Sequence, residues 1–217
     1  MKNKINFYRI ITIISIFGFS IVACGENGDP SGPSIPPHTH VWDWATYTTG
    51  SGLRECQTAG CTEKARVGDT GPAGGKIIYA NATAITAYTA NYLEAAPVNQ
   101  GTSLAWASSE YLSTNIPGTG TAIGTGKDNT AILTLANAPA AKACTDYRGG
   151  DKDDWFLPSK DELIEMHKAR THLGISSGSF WSSSQYDDYY AWYQYFNGSE
   201  NWYLKNSNYN VRAVRAF

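Results

Sequence analysis

An α+β fold is the class this sequence predicts, and three observations carry it. Charged residues make up only 17% of the 217 residues, while glycines number 21 and aromatics reach 13%, the balance of a folded, loop-rich chain rather than a disordered or coiled one. Several short runs alternate or are rich in β-branched and aromatic residues, as strands are. Two further stretches repeat their apolar residues at helical spacing. The length suits one good-sized domain or two small ones. A formal net charge of −2 with pI near 6.1 removes the electrostatic ground for nucleic-acid binding, since proteins that neutralise phosphates concentrate Lys and Arg.

The chain starts with Lys2, Lys4 and Arg9, followed by an apolar run from Ile10 to Ala23 interrupted only by Thr12, Ser15 and Ser20. That is the layout of a secretory signal and too short to span a bilayer comfortably. The run closes on Ile21-Val22-Ala23-Cys24-Gly25, which resembles the lipobox of bacterial lipoproteins in a relaxed, spirochaete-like form. The resemblance implies a leader over residues 1–23, cleavage before Cys24 and lipidation of its sulfur, with ordinary secretion after Ala23 as the alternative. Two acyl chains suffice for stable anchoring, each buried CH₂ contributing roughly 0.8 kcal/mol. Loss of residues 1–23 removes three positive charges and no acidic ones, taking the chain from −2 to −5. The Pro-rich stretch Asp29–Pro37 then reads as an extended tether within residues 24–40.

Residues 41–65 form a small cysteine-containing spacer with Trp42, Trp44 and Tyr47, expected to be strand-rich. Cys56 and Cys61 are close in sequence, and in an oxidising compartment a local disulfide is the default. A zinc site completed by His38 and His40 is the competing reading, although Cys-x4-Cys is loose and His-x-His is not a helical pair. Cys144 reads as a buried, unreactive thiol. No metal and no cofactor is expected.

The main domain is placed at residues 66–217. A turn cluster at Gly68–Gly75 opens it, Lys76–Ala80 is the first strand and Tyr92–Ala96 the second. The Gly/Thr-rich stretch Asn115–Asn129 invites a phosphate-loop reading, but Thr121 and Asp128 stand where a Walker loop needs a glycine and a hydroxyl, so it is a plain loop. Ile132, Leu135, Ala136, Ala140, Ala143, Cys144 and Tyr147 share one helical face, with Pro139 dividing the helix and Gly149-Gly150 ending it. A second helix starts where Ser159 caps and Glu162 returns the bond, with Leu163 and Met166 inward. His167 and His172, along or after it, are expected to face solvent or bond locally. From Phe180 to Phe217 there are 13 aromatics in 38 residues. Strands are expected over Ala191–Phe196, Trp202–Leu204 and Val211–Phe217, the last with two arginines that snorkel or pair.

Four motifs in order, Asp154-Trp155-Phe156-Leu157-Pro158-Ser159-Lys160-Asp161-Glu162-Leu163, Phe180-Trp181-Ser182-Ser183-Ser184, Ala191-Trp192 and Val211-Arg212-Ala213-Val214-Arg215, resemble the C-type lectin-like domains related to formylglycine-generating enzyme, found in many bacterial surface lipoproteins. The resemblance covers residues 66–217 and implies two helices on a mixed, mainly antiparallel sheet, termini close together, and irregular loops presenting a ligand surface. A narrower resemblance is to spirochaete surface lipoproteins diversified by retroelements at adenine-bearing codons. Between Tyr186 and Asn210 stand seven Tyr, five Asn, two Ser and two Asp, all linked by such changes. Trp181, Trp192, Trp202, Gln194, Glu200 and Lys205 are not, and read as scaffold. A non-diversifying paralogue with the same bias fits this one sequence equally.

Tyr offers large contact area at little rotamer cost, and Asn and Ser offer adaptable hydrogen bonds. The candidate ligand-binding residues are therefore Tyr186, Asp187, Asp188, Tyr189, Tyr190, Tyr193, Tyr195, Asn197, Ser199, Asn201, Tyr203, Asn206, Ser207, Asn208 and Tyr209. Protein or glycan on another surface is the expected partner, with the membrane reached through the lipid anchor and no nucleic acid bound. Calcium-dependent sugar binding is not expected, because neither a Glu-Pro-Asn nor a Trp-Asn-Asp triplet occurs. Catalysis is not expected either, since the formylglycine-generating relatives use a cysteine pair and no cysteine follows Cys144. A cell-surface structural protein without a defined ligand is the alternative.

Overall fold

The computed structural model describes residues 19–23, 39–49, 51–58, 61 and 63–217. The expected leader up to residue 18, Cys24 as the expected lipidation site and the expected tether up to His38 lie outside the described residues. Among the described residues, five strands, three α-helices and five more strands follow one another: β1 Phe19–Ala23, β2 Thr39–Asp43, β3 Lys76–Ile85, β4 Ala90–Ala95, β5 Gly101–Leu104, α1 Gly126–Leu135, α2 Pro139–Thr145, α3 Lys160–Lys168, β6 Ser179–Gln185, β7 Tyr190–Tyr195, β8 Glu200–Leu204, β9 Tyr209–Val211 and β10 Val214–Ala216. None of these helices is long and apolar enough to cross a membrane. The chain is α+β and loop-rich, with three helices where the family resemblance implied two.

Two sheets organise the main body. One has the order β10-β4-β3 and is antiparallel; the other has the order β5-β9-β6-β7-β8, antiparallel except where β6 and β9 run parallel at Phe180 and Asn210. An isolated bridge ties Phe156, ahead of α3, to Val214 on the β10 edge of the smaller sheet, with Phe156 N donating to Val214 O at 2.8 Å and Val214 N to Phe156 O at 2.9 Å. A third pairing joins β1 to β2, although β1 lies inside the segment read as a leader.

Pro139 does divide the helix, but α1 does not present the face expected of it. Asn137, at φ 52°, breaks the helical phase between α1 and α2. As a result Leu135 is 86% exposed, and Asn129, Thr130 and Leu133 turn inward instead. The end of this region falls at Gly150, where φ is +65° and a Cβ would meet Ala73 Cα at 2.5 Å, so only glycine fits. The expected final strand over Val211–Phe217 is likewise two, β9 and β10, one in each sheet. The break comes at Arg212 and Ala213: Arg212 donates to Asn99 Oδ1 and Ala96 O, both at 2.7 Å, and Ala213 N to Gln100 Oε1 at 2.5 Å. Arg215 pairs bidentately with Asp154 at 2.8 and 2.9 Å and reaches the fully buried Glu94 at 3.4 Å.

α3 begins as its sequence dictates. Ser159 Oγ accepts from Glu162 N at 3.3 Å, and Glu162 Oε2 accepts from Ser159 N at 2.8 Å. Glu162 does more than cap its own helix. Its Oε1 accepts from Gly124 N at 2.8 Å, just before α1, and from the Tyr88 hydroxyl at 2.6 Å. One buried carboxylate thus faces the amino ends of both α1 and α3, where helix dipoles favour negative charge.

The apolar interior divides into three clusters. The first joins α1 and α2 to the larger sheet around Trp106, Leu133, Cys144, Trp155 and Trp181; the second packs α3 between the sheets through Phe156, Leu163, Met166, Phe180 and Phe196. In the third, Trp42, Trp44, Cys56 and Ala65 of residues 41–65 share a core with Ile77, Tyr92 and the terminal Phe217. Trp44 stands edge-on to Phe217 at 5.2 Å and to Tyr92 at 5.7 Å, and donates from Nε1 to Thr70 O at 3.1 Å. The spacer is therefore docked on the main domain, against the carboxyl terminus.

Candidate functional site

The candidate residues gather on and around the β7–β8 hairpin. Its register pairs Tyr190 with Leu204, Ala191 with Tyr203, Trp192 with Trp202, Tyr193 with Asn201 and Gln194 with Glu200. Because side chains alternate across a strand, this sorts them onto opposite faces. Tyr193, Asn201 and Tyr203 share one; Tyr190, Trp192, Trp202 and Leu204 share the other.

On the first face, rings lead from the core to solvent. Fully buried Trp181 lies 4.5 Å from Tyr209, Tyr209 lies 4.7 Å from Tyr193, and Tyr203 lies 6.1 Å from Tyr209. Tyr193 and Tyr209 are half-buried, whereas Tyr203 keeps 49% of its surface open. Burial and the neighbouring Tyr193 push the Tyr209 phenol up to about 12, so it stays a neutral hydrogen-bonding group at physiological pH. On the second face, Tyr186 stacks on Trp202 with centroids 4.4 Å apart and planes 9° from parallel, and both rings meet Trp192 edge-on at 5.2 and 5.4 Å. Lys160 Nζ lies 4.5 Å over the Trp192 ring, a cation–π contact.

Two turns hold the hairpin. Gln194, buried, donates from Nε2 to Tyr195 O at 2.9 Å and Gly198 O at 3.0 Å, closing the tip, while Phe196 packs 4.5 Å from Phe180. At the other end Asp187 Oδ1 accepts from Tyr189 N and Tyr190 N, both at 2.8 Å. Beneath that turn Lys205 is 1% exposed, and its ammonium donates to Thr114 O, Gln185 Oε1 and Asp188 O at 2.9, 2.9 and 2.6 Å. Burial pulls the Lys205 ammonium down to about 8, with Asp188 and Asp187 opposing the shift. Lys205 N also donates to Tyr189 O at 3.1 Å, tying the β6–β7 and β8–β9 turns together.

None of the fifteen candidates is buried. Tyr186, Asp188, Tyr189, Tyr195, Asn197, Ser199, Asn201, Tyr203, Asn206 and Asn208 are exposed; Asp187, Tyr190, Tyr193, Ser207 and Tyr209 are half-buried. They do not form one patch. Asp187, Asp188 and Tyr189 share one end of the hairpin with Asn206, Ser207 and Asn208, while Asn197 and Ser199 sit at the opposite tip beside an open cleft of about 400 Å³ lined by His167, Arg170 and Phe196. His167 Nε2 stands 3.2 Å from Phe196 O, a contact 29 positions away in sequence rather than the local bond or solvent-facing place expected of it. Trp192, Trp202 and Lys160 were not among the candidates; the first two read as scaffold, yet Trp202 is 42% exposed. A hairpin centred on Asn197 would have set Trp192 opposite Trp202.

Away from the hairpin, the Cys56 and Cys61 side chains are in hydrogen-bond contact with each other. Burial opposes ionisation of Cys56, but hydrogen bonds from Thr58, Val41 and Cys61 outweigh it and bring the thiol to about 7. Burial alone pushes Cys144 well above the ordinary thiol range, in keeping with an inert core residue. Among the described residues no three His, Cys, Asp or Glu side chains gather as a metal would need.

Residues 97–215, more than half of the chain and all of the candidate surface, match the model of the Lcl C-terminal domain. The chain belongs to this family. Lcl C-terminal domains are associated with surface and secreted bacterial proteins, which makes this an exported protein of cell-surface type. No curated protein matches the sequence. Among solved structures, a fimbrial protein from Bacteroides ovatus ATCC 8483 aligns with a TM-score of 0.48 at 10% identity, over 92% of this chain and 64% of that one. The chain thus spans less than two thirds of that protein's length.

Proposed function

We propose that the protein is an envelope lipoprotein, anchored through Cys24, whose Lcl C-terminal domain is a C-type lectin-like module that recognises a protein or glycan through the tyrosine- and asparagine-rich β7–β8 region. The observation that carries this reading is the set of open rings on a braced hairpin: six of the large hydrophobic side chains exposed at the surface, Tyr186, Tyr189, Tyr195, Trp202, Tyr203 and Leu204, fall within it. Exposed apolar clusters of that kind mark interaction sites. Rigid support lowers the entropy cost of binding. The function is recognition rather than catalysis, and the residue bias of Tyr186–Asn210 fits diversification of the surface by a retroelement.

Glycan and cell-surface protein arrays probed with the purified chain test the reading. Binding that falls at least tenfold in Tyr195→Ala and Tyr203→Ala variants supports it; absence of any ligand whose binding depends on these residues favours a structural role. Incorporation of a labelled fatty acid, lost in Cys24→Ala, tests the anchor. A template copy and a reverse transcriptase at the same locus test diversification.

A further inference from the structure

The outer edge of β8 has features that ligand recognition by one face does not explain. Apart from β7, β8 has no strand neighbour among the described residues, and all five of its residues are exposed, on both faces at once. A ligand resting on one face would leave the other bare. A strand added along the edge covers both, because its own side chains alternate.

The hydrogen-bond phase shows which groups the edge offers. Lys205 N donates to Tyr189 O and Tyr195 N to Ser199 O, so the pairs bonded across the hairpin are those of the odd-numbered residues of β7 and β8. The N–H and C=O groups of Glu200, Trp202 and Leu204 therefore point outward. Two of them already have partners: Trp202 N donates to Asn201 Oδ1 at 2.8 Å, so a side chain of the same strand stands where a partner's carbonyl would sit, and Leu204 O accepts from Ser207 N at 2.9 Å in the following turn, leaving its second lone pair for a partner's N–H.

We propose that β8 is a dimerisation edge that pairs antiparallel with β8 of a second copy about a twofold axis at Trp202, with Asn201 acting as a removable guard on that edge. The strand is self-complementary in this register. Trp202 meets Trp202 of the second copy, Glu200 meets Leu204 and Asn201 meets Tyr203, so no like charges oppose. The three outward-facing residues form the bonded pairs. Such an isologous contact closes on itself and joins two five-stranded sheets into one, with the two Tyr186–Trp202 stacks side by side on a single face. Exposed edges carrying apolar side chains invite this pairing, and a guard that must be displaced keeps it reversible.

Sedimentation equilibrium of the purified chain over a concentration series tests the proposal without any ligand, so its outcome is separate from that of the array experiments. The average mass is expected to climb from one chain towards two. Leu204→Pro removes only an outward N–H and leaves the β7–β8 ladder intact, so it should hold the mass at one chain, whereas Leu204→Ala should still associate. Asn201→Ala frees the Trp202 N–H and should shift association to lower concentration, a gain that misfolding would not produce. Matching circular dichroism spectra keep loss of fold apart from loss of the edge. The proposal is overturned if wild type and Asn201→Ala both remain single chains, or if Leu204→Pro associates as strongly as wild type. A single-chain protein that instead takes up an added extended peptide also overturns it, assigning the edge to a foreign strand.

Discussion

At the scale of single residues, buried charges set the sharpest expectations. Glu162 is fully buried yet receives hydrogen bonds from Ser159 N, Gly124 N and the Tyr88 hydroxyl. Glu162→Gln replaces an acceptor oxygen by a donor facing another donor, and should cost about 2–3 kcal/mol in urea unfolding. Arg215→Met strands the Glu94 carboxylate without its cation and should cost about 3–5 kcal/mol, while Glu94→Gln in the same chain should recover part of that loss. Lys205 gives a pH signature. Its ammonium loses its proton near 8 in the folded state, below the 10.5 of an ordinary lysine, so the unfolded chain holds more protons between those values. Its contribution to stability therefore rises as pH climbs from about 8 to 10.5. Comparing wild type with Lys205→Met across that window should show a slope in wild type that the variant lacks.

Among elements, α3 and the α1–α2 pair show what a sequence makes legible. The capping box of α3 is written within four residues, so Ser159 and Glu162 reveal it without knowledge of the rest. Ser159→Ala should lower stability by about 1–2 kcal/mol, measured by denaturant midpoint at constant slope, because the hydroxyl also donates to Ala122 O at 2.9 Å. The division at Pro139 is equally local. The phase slip at Asn137 is not, and it turns Leu135 outward against its hydropathy. Val211–Phe217 reads as one strand because every residue fits a strand; only its distant partners, β6 on one side and β4 on the other, divide it. The candidate surface follows the same logic. Exposure of tyrosines and asparagines is visible from composition, but their separation onto two faces depends on hairpin register, and the recruitment of Lys160 to Trp192 depends on how α3 lies against β7.

For the molecule as a whole, the carboxyl terminus is the piece that joins the rest. Phe217 is 4% exposed, stacked 5.2 Å from Tyr92 and edge-on to Trp44, and its backbone bonds both Asn91 and Tyr92. Phe217→Ala should cost about 3–5 kcal/mol and release residues 41–65 from the main domain, seen as faster proteolysis within that stretch while the β7–β8 hairpin stays protected. That docking is invisible to sequence reading, since Trp42 and Trp44 carry no local sign of a partner some 170 positions downstream.

The placement of β9 bears on when the fold can close. This strand, made of residues 209–211, sits between β5 and β6 rather than at a margin, and β10 supplies the flank of the other sheet. Neither sheet is complete until residues 209–216 are in place. A chain folded only as far as β8 would thus lack an inner strand of one sheet and the flank of the other, so both layers close together and late, once β9 and β10 are in place.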